Sequence, residues 1–458
     1  MSERLRSVGL DVGTTSTQMI LSELTVENRA SNFAVPEMEI TEKQILYRSP
    51  VHFTPLLDES HVDGQALRVL VEKEYAAAGI RRESVDTGAV IVTGETSRKE
   101  NAGTVLSALS DLAGEFVVAT AGPDLESVLA AKGAGAAALS AETGKTVLHM
   151  DIGGGTSNLA WIENGIITET GCLNVGGRLI KFDENGIVYY VSPVLAGITD
   201  VKAGDRITEK ALAAVAEILT QALEMAACLR EKTALLDKLT TAETRALPLG
   251  NEPAQILSFS GGVADCIDIT HDWKKFGDMG PTLGQMIRGS RLCRGGYALG
   301  RETIRATVIG AGCHSTQLSG STVFYQNLPL PLKNLPVVRL TKQEQHLPVE
   351  ELADLIRQRL KRHEEQAVLA MPGLPSPSYS EIGRLAQAIS DGMEEPLLVA
   401  VEQDMAKALG QALALRRKPG TACLCIDRVA LEDGSFLDVG TPVGPALPVV
   451  VKTLILNR

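Results

Sequence analysis

Two acidic side chains stand where carboxylates are least expected, each at the end of an apolar run and just ahead of glycine. Asp151 lies in VLHMDIGGGTSNLAWI, residues 147–162, separated by one residue from the three glycines Gly153, Gly154 and Gly155. Adjacent glycines accept positive φ at no steric cost and let the backbone come close to a ligand. Consecutive N–H groups in such a turn form a concavity that attracts anions. Thr156 and Ser157 add hydroxyl donors. A carboxylate beside an anion nest would repel phosphate unless a cation lay between them, and Mg²⁺ is commonly held by one or two carboxylates, water and the phosphates themselves. Strand, glycine-rich turn and strand is also the pattern of an ordinary tight hairpin. A second copy favours the phosphate reading. Residues 7–21, SVGLDVGTTSTQMIL, repeat the grammar with Asp11, Gly13 and the hydroxyl-rich turn Thr14 to Thr17. Two Asp-x-Gly hairpins, 140 positions apart, point to two similar halves closing on one metal–phosphate centre.

The elements that must position these hairpins follow in order. AVIVT at 89–93 reads as a short strand, and 125–141, LESVLAAKGAGAAALSA, as a helix thinned by Gly133, Gly135 and the run Ala134 to Ala138. Glycine inside a helix costs about 1 kcal/mol relative to alanine, so close helix–helix approach is one reading and an alanine-rich core helix the other. Thr208 to Lys232 is the longest clear helix, and Asp183 to Gly186 marks a turn between two strands. Strand 255–260, QILSFS, runs into Gly261-Gly262, where a flat ring could lie on the backbone. VIGAG at 308–312, read as a strand ending in small residues, is the rival for that corner. Beyond Pro329, Pro331 and Pro336 the texture becomes βαβ, which implies a mostly parallel sheet covered by helices.

Composition narrows the class. The chain has 458 residues, 44% hydrophobic and 22% charged, ordinary for a globular protein. Its formal charge of −12 argues against sequence-independent nucleic-acid binding, which depends on Lys and Arg. Arg288, Arg291, Arg294 and Arg301 read as a solvated helix face. Seven scattered cysteines match no zinc spacing, so a reducing compartment and core thiols are expected. No apolar run reaches the ~20 residues of a membrane helix, and Met1 to Arg6 leads straight into a strand rather than a signal peptide. No membrane and no nucleic acid are expected as partners.

Both hairpins, the thin helix and the Gly-Gly corner, in that order, resemble the actin, heat-shock chaperone and sugar-kinase superfamily of ATPases. The resemblance implies a two-lobed, actin-like (ribonuclease H-like) α/β fold with a nucleotide cleft between lobes and an additional C-terminal α/β segment. The expected division is 1–145, 146–330 and 331–458, the last either an addition or an integral part of the second lobe. Asp11, Gly13, Thr14 and Thr15 resemble phosphate loop one. Asp151, Gly153, Gly154, Gly155 and Thr156 resemble phosphate loop two. Gly261 and Gly262 resemble the adenosine loop. Over nearly its full length the chain resembles the ethanolamine ammonia-lyase reactivating factors of bacteria, through SVGLDVGTTSTQ, VTGETSRKENA, HMDIGGGTSNLA, SFSGGVAD, VIGAGCHSTQLSG and GTPVGPALPVVVKTL. That likeness implies an ATP- and Mg²⁺-dependent chaperone of the cytoplasm, associated with the ethanolamine-utilisation microcompartment, whose partner is ethanolamine ammonia-lyase and which releases damaged cobalamin so that adenosylcobalamin can bind. Asp11 and Asp151 would face the metal, directly or through its waters. Glu95 and Glu126 are the candidates for positioning the attacking water, and Lys99 for reaching the γ-phosphate; for all three the alternative is a solvated surface charge. Two other functions stay open: a small-molecule kinase with Asp200 or Asp205 as base, and a non-catalytic ATP-binding scaffold or filament protein. The oligomeric state is not legible.

Overall fold

The structure, a computed structural model, describes residues 3–13, 16–28, 38–57, 61–81, 84–92, 117–120, 123–242, 244, 246–314, 316–319, 322–361, 366–431, 435–442 and 446–453. The first sheet contains β1 (Glu3–Val12), β2 (Ser16–Asn28), β3 (Met38–Arg48), β4 (His52–Phe53), β5 (Thr87–Val92) and β6 (Val117–Thr120). Its order is β3-β2-β1-β5-β6, with β4 beside β2. The first three strands form an antiparallel meander, and β5 and β6 add in parallel.

The second sheet contains β7 (Val147–Ile152), β8 (Ser157–Glu163) and β9 (Ile166–Leu173). A small hairpin of β10 (Ile180–Phe182) and β11 (Val188–Val191) follows, turning through Asp183 and Gly186. Then β12 (Ile256–Ser260) and β13 (Tyr297–Leu299) rejoin the sheet. Its order, β13-β12-β7-β8-β9, repeats that of the first: a three-stranded meander extended by two parallel strands next to its opening strand. The two halves implied by the paired hairpins are therefore halves of one architecture.

Strand alternation decides which way each aspartate points. In β1, Val8, Leu10 and Val12 bury in a core with Leu67 and Val71 of the helix Gly64–Ala77, so Ser7, Gly9 and Asp11 take the opposite face. In β7, Leu148, Met150 and Ile152 join the core that includes Leu212, Leu219 and Leu223 of the helix Glu209–Ala226, leaving Val147, His149 and Asp151 on the other face. Those free faces receive two linker helices, and each linker packs on the sheet that did not precede it. The helix Pro123–Gly133, which follows the first sheet, lies on β7, β8 and β9. The helix Ala306–His314, which follows the second, lies on β1, β2 and β5, with Val308 and Ile309 against Ile20.

The two linkers cross at Gly133 and Gly310. A Cβ on Gly133 would stand 1.8 Å from the Ala306 carbonyl oxygen, and one on Gly310 would stand 2.0 Å from that of Leu129. Close approach is thus the reason for Gly133. The thin helix itself is shorter than its composition suggests: Gly135, at φ +82°, ends it, and a second helix, Ala136–Thr143, begins there. VIGAG is likewise a helix, not a strand end. A short apolar run of small and β-branched residues suits either state, and the crossing selects the helix.

The third sheet contains β14 (Thr316–Leu318), β15 (Phe324–Gln326), β16 (Leu332–Arg339), β17 (Val368–Met371), β18 (Leu397–Val401), β19 (Cys423–Asp427), β20 (Ser435–Val439) and β21 (Pro448–Thr453). Strands β16 to β19 are parallel, as the βαβ texture leads one to expect, and the flanking strands pair antiparallel. The sheet recruits β14 and β15 from upstream of residue 331. It has its own core, and Val450 of β21 reaches Ala89 and Ile91 of the first sheet.

Candidate functional site

The two hairpin turns are built alike. Gly13 N–H donates to the Ser16 carbonyl at 2.9 Å, and Gly153 N–H donates to the Thr156 carbonyl at 2.9 Å. Thr54 Oγ1 donates to the Gly13 carbonyl at 2.8 Å, holding the first turn. The second is backed by a segment sequence reasoning missed: Gly177 N–H reaches the Gly153 carbonyl at 2.9 Å and Arg178 N–H the Gly154 carbonyl at 2.6 Å.

Both turns open on one cavity of about 360 Å³, within the usual range for a small-molecule site. Asp11, Gly13, Asp151, Gly153, Gly154, Gly155 and Thr156 line it, and so do Glu126, Gly261 and Gly262. Thr14, Thr15, Glu95 and Lys99 lie outside the described residues. Gly261 has φ +87°, and a Cβ there would come within 2.3 Å of the Ile152 carbonyl oxygen. Only glycine lets this corner press against the end of β7. Asp200 and Asp205, the kinase candidates, are exposed and do not line the cavity.

Asp151 is 8% exposed and accepts a hydrogen bond from Ser260 Oγ. Burial pushes its carboxyl up to about 6, against the pull of the Ser260 and Thr307 hydroxyls. Behind it, His149 is fully buried, with Nε2 2.9 Å from Ser260 Oγ and Nδ1 3.1 Å from Ser258 Oγ. Burial drives that imidazole down to about 3, so it is neutral. Because Ser260 gives its proton to Asp151, it must accept from His149 Nε2–H, and Ser258 then donates to Nδ1. The relay is directional and ends on the aspartate. Glu126, on the first turn of the Pro123–Gly133 helix, accepts from Asn158 Nδ2 at 2.8 Å.

Five carboxylates (Asp11, Glu126, Asp151, Asp265, Asp278) and two cations (Arg178, Lys181) line the cavity. Arg178 pairs with the buried Asp278, Nε to Oδ2 3.2 Å. Burial raises the Asp278 carboxyl, while the Gly280 N–H and Arg178 oppose the rise. A wall with this acid excess repels a bare phosphate chain and accommodates one that arrives with a divalent cation. Among the described residues no three His, Cys, Asp or Glu side chains converge as a direct ligand cage. The donor set suits a cation that keeps water, as Mg²⁺ does. Among the described residues, the buried amide oxygens Gln18 Oε1 and Asn158 Oδ1, of two residues that line the cavity, have no hydrogen-bond donor. Gln18, Asn158, Arg178 and Lys181 carry no motif signal. Their role depends on strand register and on the 175–178 segment folding back.

The family described as ethanolamine utilisation protein EutA matches residues 3–457. This chain belongs to the EutA family. A relative in Salmonella typhimurium, named ethanolamine ammonia-lyase reactivase EutA, is 39% identical over 99% of this chain and 99% of its own. An Escherichia coli EutA of the same name is 39% identical, again over 99% of each chain. Among solved structures, a Ppx/GppA family member from Aquifex aeolicus aligns with 58% of this chain and 69% of its own at 13% identity and a TM-score of 0.37, a distant likeness that carries no further weight. The EutA chain has the two-lobed actin-like fold, seen directly in its two sheets of equal order and its crossed linkers. Among the described residues Cys172, Cys266, Cys293, Cys423 and Cys425 are buried and Cys228 half-buried, and none is in a disulfide. Among the described residues no helix is long and apolar enough to cross a membrane.

Proposed function

We propose that this EutA protein is an ATP-dependent reactivating chaperone that releases damaged cobalamin from ethanolamine ammonia-lyase, with the cavity between its hairpins as the Mg²⁺–ATP site. The observation that supports this most is the convergence of Asp11, Asp151, both glycine turns and Gly261-Gly262 on one cavity, in a chain 39% identical to two proteins named reactivases of that lyase.

In this reading the N–H groups of Gly154 to Thr156 receive the phosphates, those of Gly13 and Gly153 being engaged in closing their own turns, and Gly261-Gly262 carries the adenosine. Thr14 and Thr15 add donors to the first turn. Asp11 and Asp151 hold the cation through its waters, and the bound cation neutralises charge between these carboxylates and the phosphates. Arg178 and Lys181 face the same charge from the second lobe. Glu126, held by Asn158, orients the attacking water; Glu95 is the alternative. The regions 1–145 and 146–330 act as the closing lobes, and 331–458 as the partner-facing addition, beside the lyase in its microcompartment.

A nucleotide shifts a conformational equilibrium only through its different affinity for the two states. Driving the lyase from 1:99 to 99:1 in favour of release needs about 5.5 kcal/mol of such difference. Lobe closure that changes the contact with the lyase is the means by which this chain supplies it.

The test is reactivation of ethanolamine ammonia-lyase blocked with hydroxocobalamin. Wild type with ATP, Mg²⁺ and adenosylcobalamin restores turnover, and Asp11→Asn or Asp151→Asn abolishes the effect while the fold survives. Full reactivation without nucleotide, or by both variants, overturns the proposal.

A further inference from the structure

The hairpins share more than their aspartates. In strand register Gln18 stands opposite Asp11 in the first, and Asn158 stands opposite Asp151 in the second. Both amides line the cavity, at 3% and 5% exposure. An amide's oxygen and nitrogen are told apart by what surrounds them, and here the surroundings decide. Gln18 Nε2 donates to the Ile304 carbonyl at 3.1 Å, and Asn158 Nδ2 donates to Glu126 Oε2 at 2.8 Å. Each nitrogen must face its acceptor, so each oxygen is turned away from it. Those oxygens, Gln18 Oε1 and Asn158 Oδ1, are buried acceptors without a donor among the described residues, and of the side chains in that state these two belong to residues that line the cavity. Native proteins rarely leave one such group unsatisfied. Two in matching positions of two matching hairpins are a feature of the design.

The nitrogen ends lead somewhere as well. Ile304 lies just before the linker helix Ala306–His314, and Glu126 lies in the first turn of the linker helix Pro123–Gly133. These are the helices that cross at Gly133 and Gly310. Each of the two residues therefore lines the cavity and sends its amide nitrogen to a linker segment.

We infer that Gln18 and Asn158 are a matched pair of positioning residues that accept hydrogen bonds from the water shell of the nucleotide-bound divalent cation and couple its arrival to the two crossing linkers. The inference rests on the reading of the cavity as a Mg²⁺–nucleotide site. Mg²⁺ dehydrates reluctantly and keeps several waters, each with hydrogens to place. A neutral amide oxygen accepts them without adding charge to a wall that already carries five carboxylates. Carboxylates at these two positions would deepen the repulsion toward phosphate.

Isothermal titration of the full-length chain with ADP, in Mg²⁺ and in EDTA, tests this. Gln18→Met and Asn158→Leu keep bulk and remove the acceptor. The expected result is a loss of ADP affinity of tenfold or more with Mg²⁺, and a change within twofold in EDTA. Thermal melting checks the fold, and Gln18→Met decides alone should Asn158→Leu fail to fold, since it disturbs no carboxylate. Equal losses under both conditions would reduce the residues to packing and overturn the inference. So would a Mg²⁺ increment that survives in the variants while wild type shows one. A wild type that gains no affinity from Mg²⁺ overturns the underlying cation reading itself, and the two failures are thereby told apart.

Discussion

Gly133 and Gly310 meet where the two linker helices cross, each lying against the backbone of the other's helix. A methyl group on either would stand about 2 Å from a carbonyl oxygen, since the Cβ distances are 1.8 Å for Gly133 and 2.0 Å for Gly310. No rotamer change relieves a clash with backbone. Gly133→Ala and Gly310→Ala should each destabilise the protein by ~3 kcal/mol or more, at the upper end of overpacking costs. The double variant should lose less than the sum, because one separation of the helices relieves both clashes. Chemical denaturation of the four proteins measures this; additive losses would show that the two glycines relieve separate contacts.

The second prediction concerns pH. The Asp151 carboxyl is raised from 3.8 to about 6 by burial. A carboxyl raised in the folded state adds stability that is fully present below the unfolded value, near pH 4. That stability is lost as pH rises through about 6. At pH 7.5 the ionised, buried Asp151 is therefore a burden of roughly 3 kcal/mol, which a bound cation relieves. Without nucleotide, Asp151→Asn should melt higher than wild type at pH 7.5, and the gap should close toward pH 4. Thermal melting across that range checks it, and a variant that melts lower at pH 7.5 would contradict the assigned burial cost.

Arg178 is held against the buried Asp278 at 3.2 Å, on a segment pinned to the glycine turn. Arg178→Met removes a cation from the phosphate end and strands Asp278. Nucleotide affinity should fall at least tenfold. Stability should fall by about 1–2 kcal/mol, less than for a fully buried pair because the arginine is 30% exposed. Adding Asp278→Asn should return stability and leave affinity low. Recovery of both would assign Arg178 a purely structural part.

Glu126 tests the chemistry separately from binding. Glu126→Gln keeps shape and a hydrogen-bonding end. ADP affinity should stay within about threefold, while ATP turnover should fall by about 10²–10⁴, the range for loss of a positioned base. Phosphate release and titration with ADP read the two quantities. Unchanged turnover would move the role to Glu95 or elsewhere.

What could be read in the residues, and what could not, follows from range. Asp11 and Asp151 were legible because their signal is local: an apolar run, a carboxylate, a glycine turn. Gly261-Gly262 was legible for the same reason, and the βαβ texture beyond residue 331 by its alternating periods. Gln18 and Asn158 were not, because an amide in a strand means nothing until register sets it opposite an aspartate. Arg178 sat in a stretch that reads as plain strand and gained its place through two backbone hydrogen bonds to the turn. His149 carries no signal of its own in the sequence and gains its place only when strand pairing brings Ser258 and Ser260 alongside on β12. The helical state of VIGAG and the break at Gly135 were both settled by the linker crossing, a contact between segments that local pattern does not encode.

The central claim is that Asp11 and Asp151 grip one nucleotide-bound cation from opposite hairpins. Binding of Mn²⁺ in place of Mg²⁺, followed by its electron paramagnetic resonance signal with and without ADP, tests it most directly. Wild type should take up one Mn²⁺ per chain when ADP is present, and Asp11→Asn and Asp151→Asn should each weaken that uptake at least tenfold. Wild-type uptake of Mn²⁺ with ADP by both variants would contradict the account.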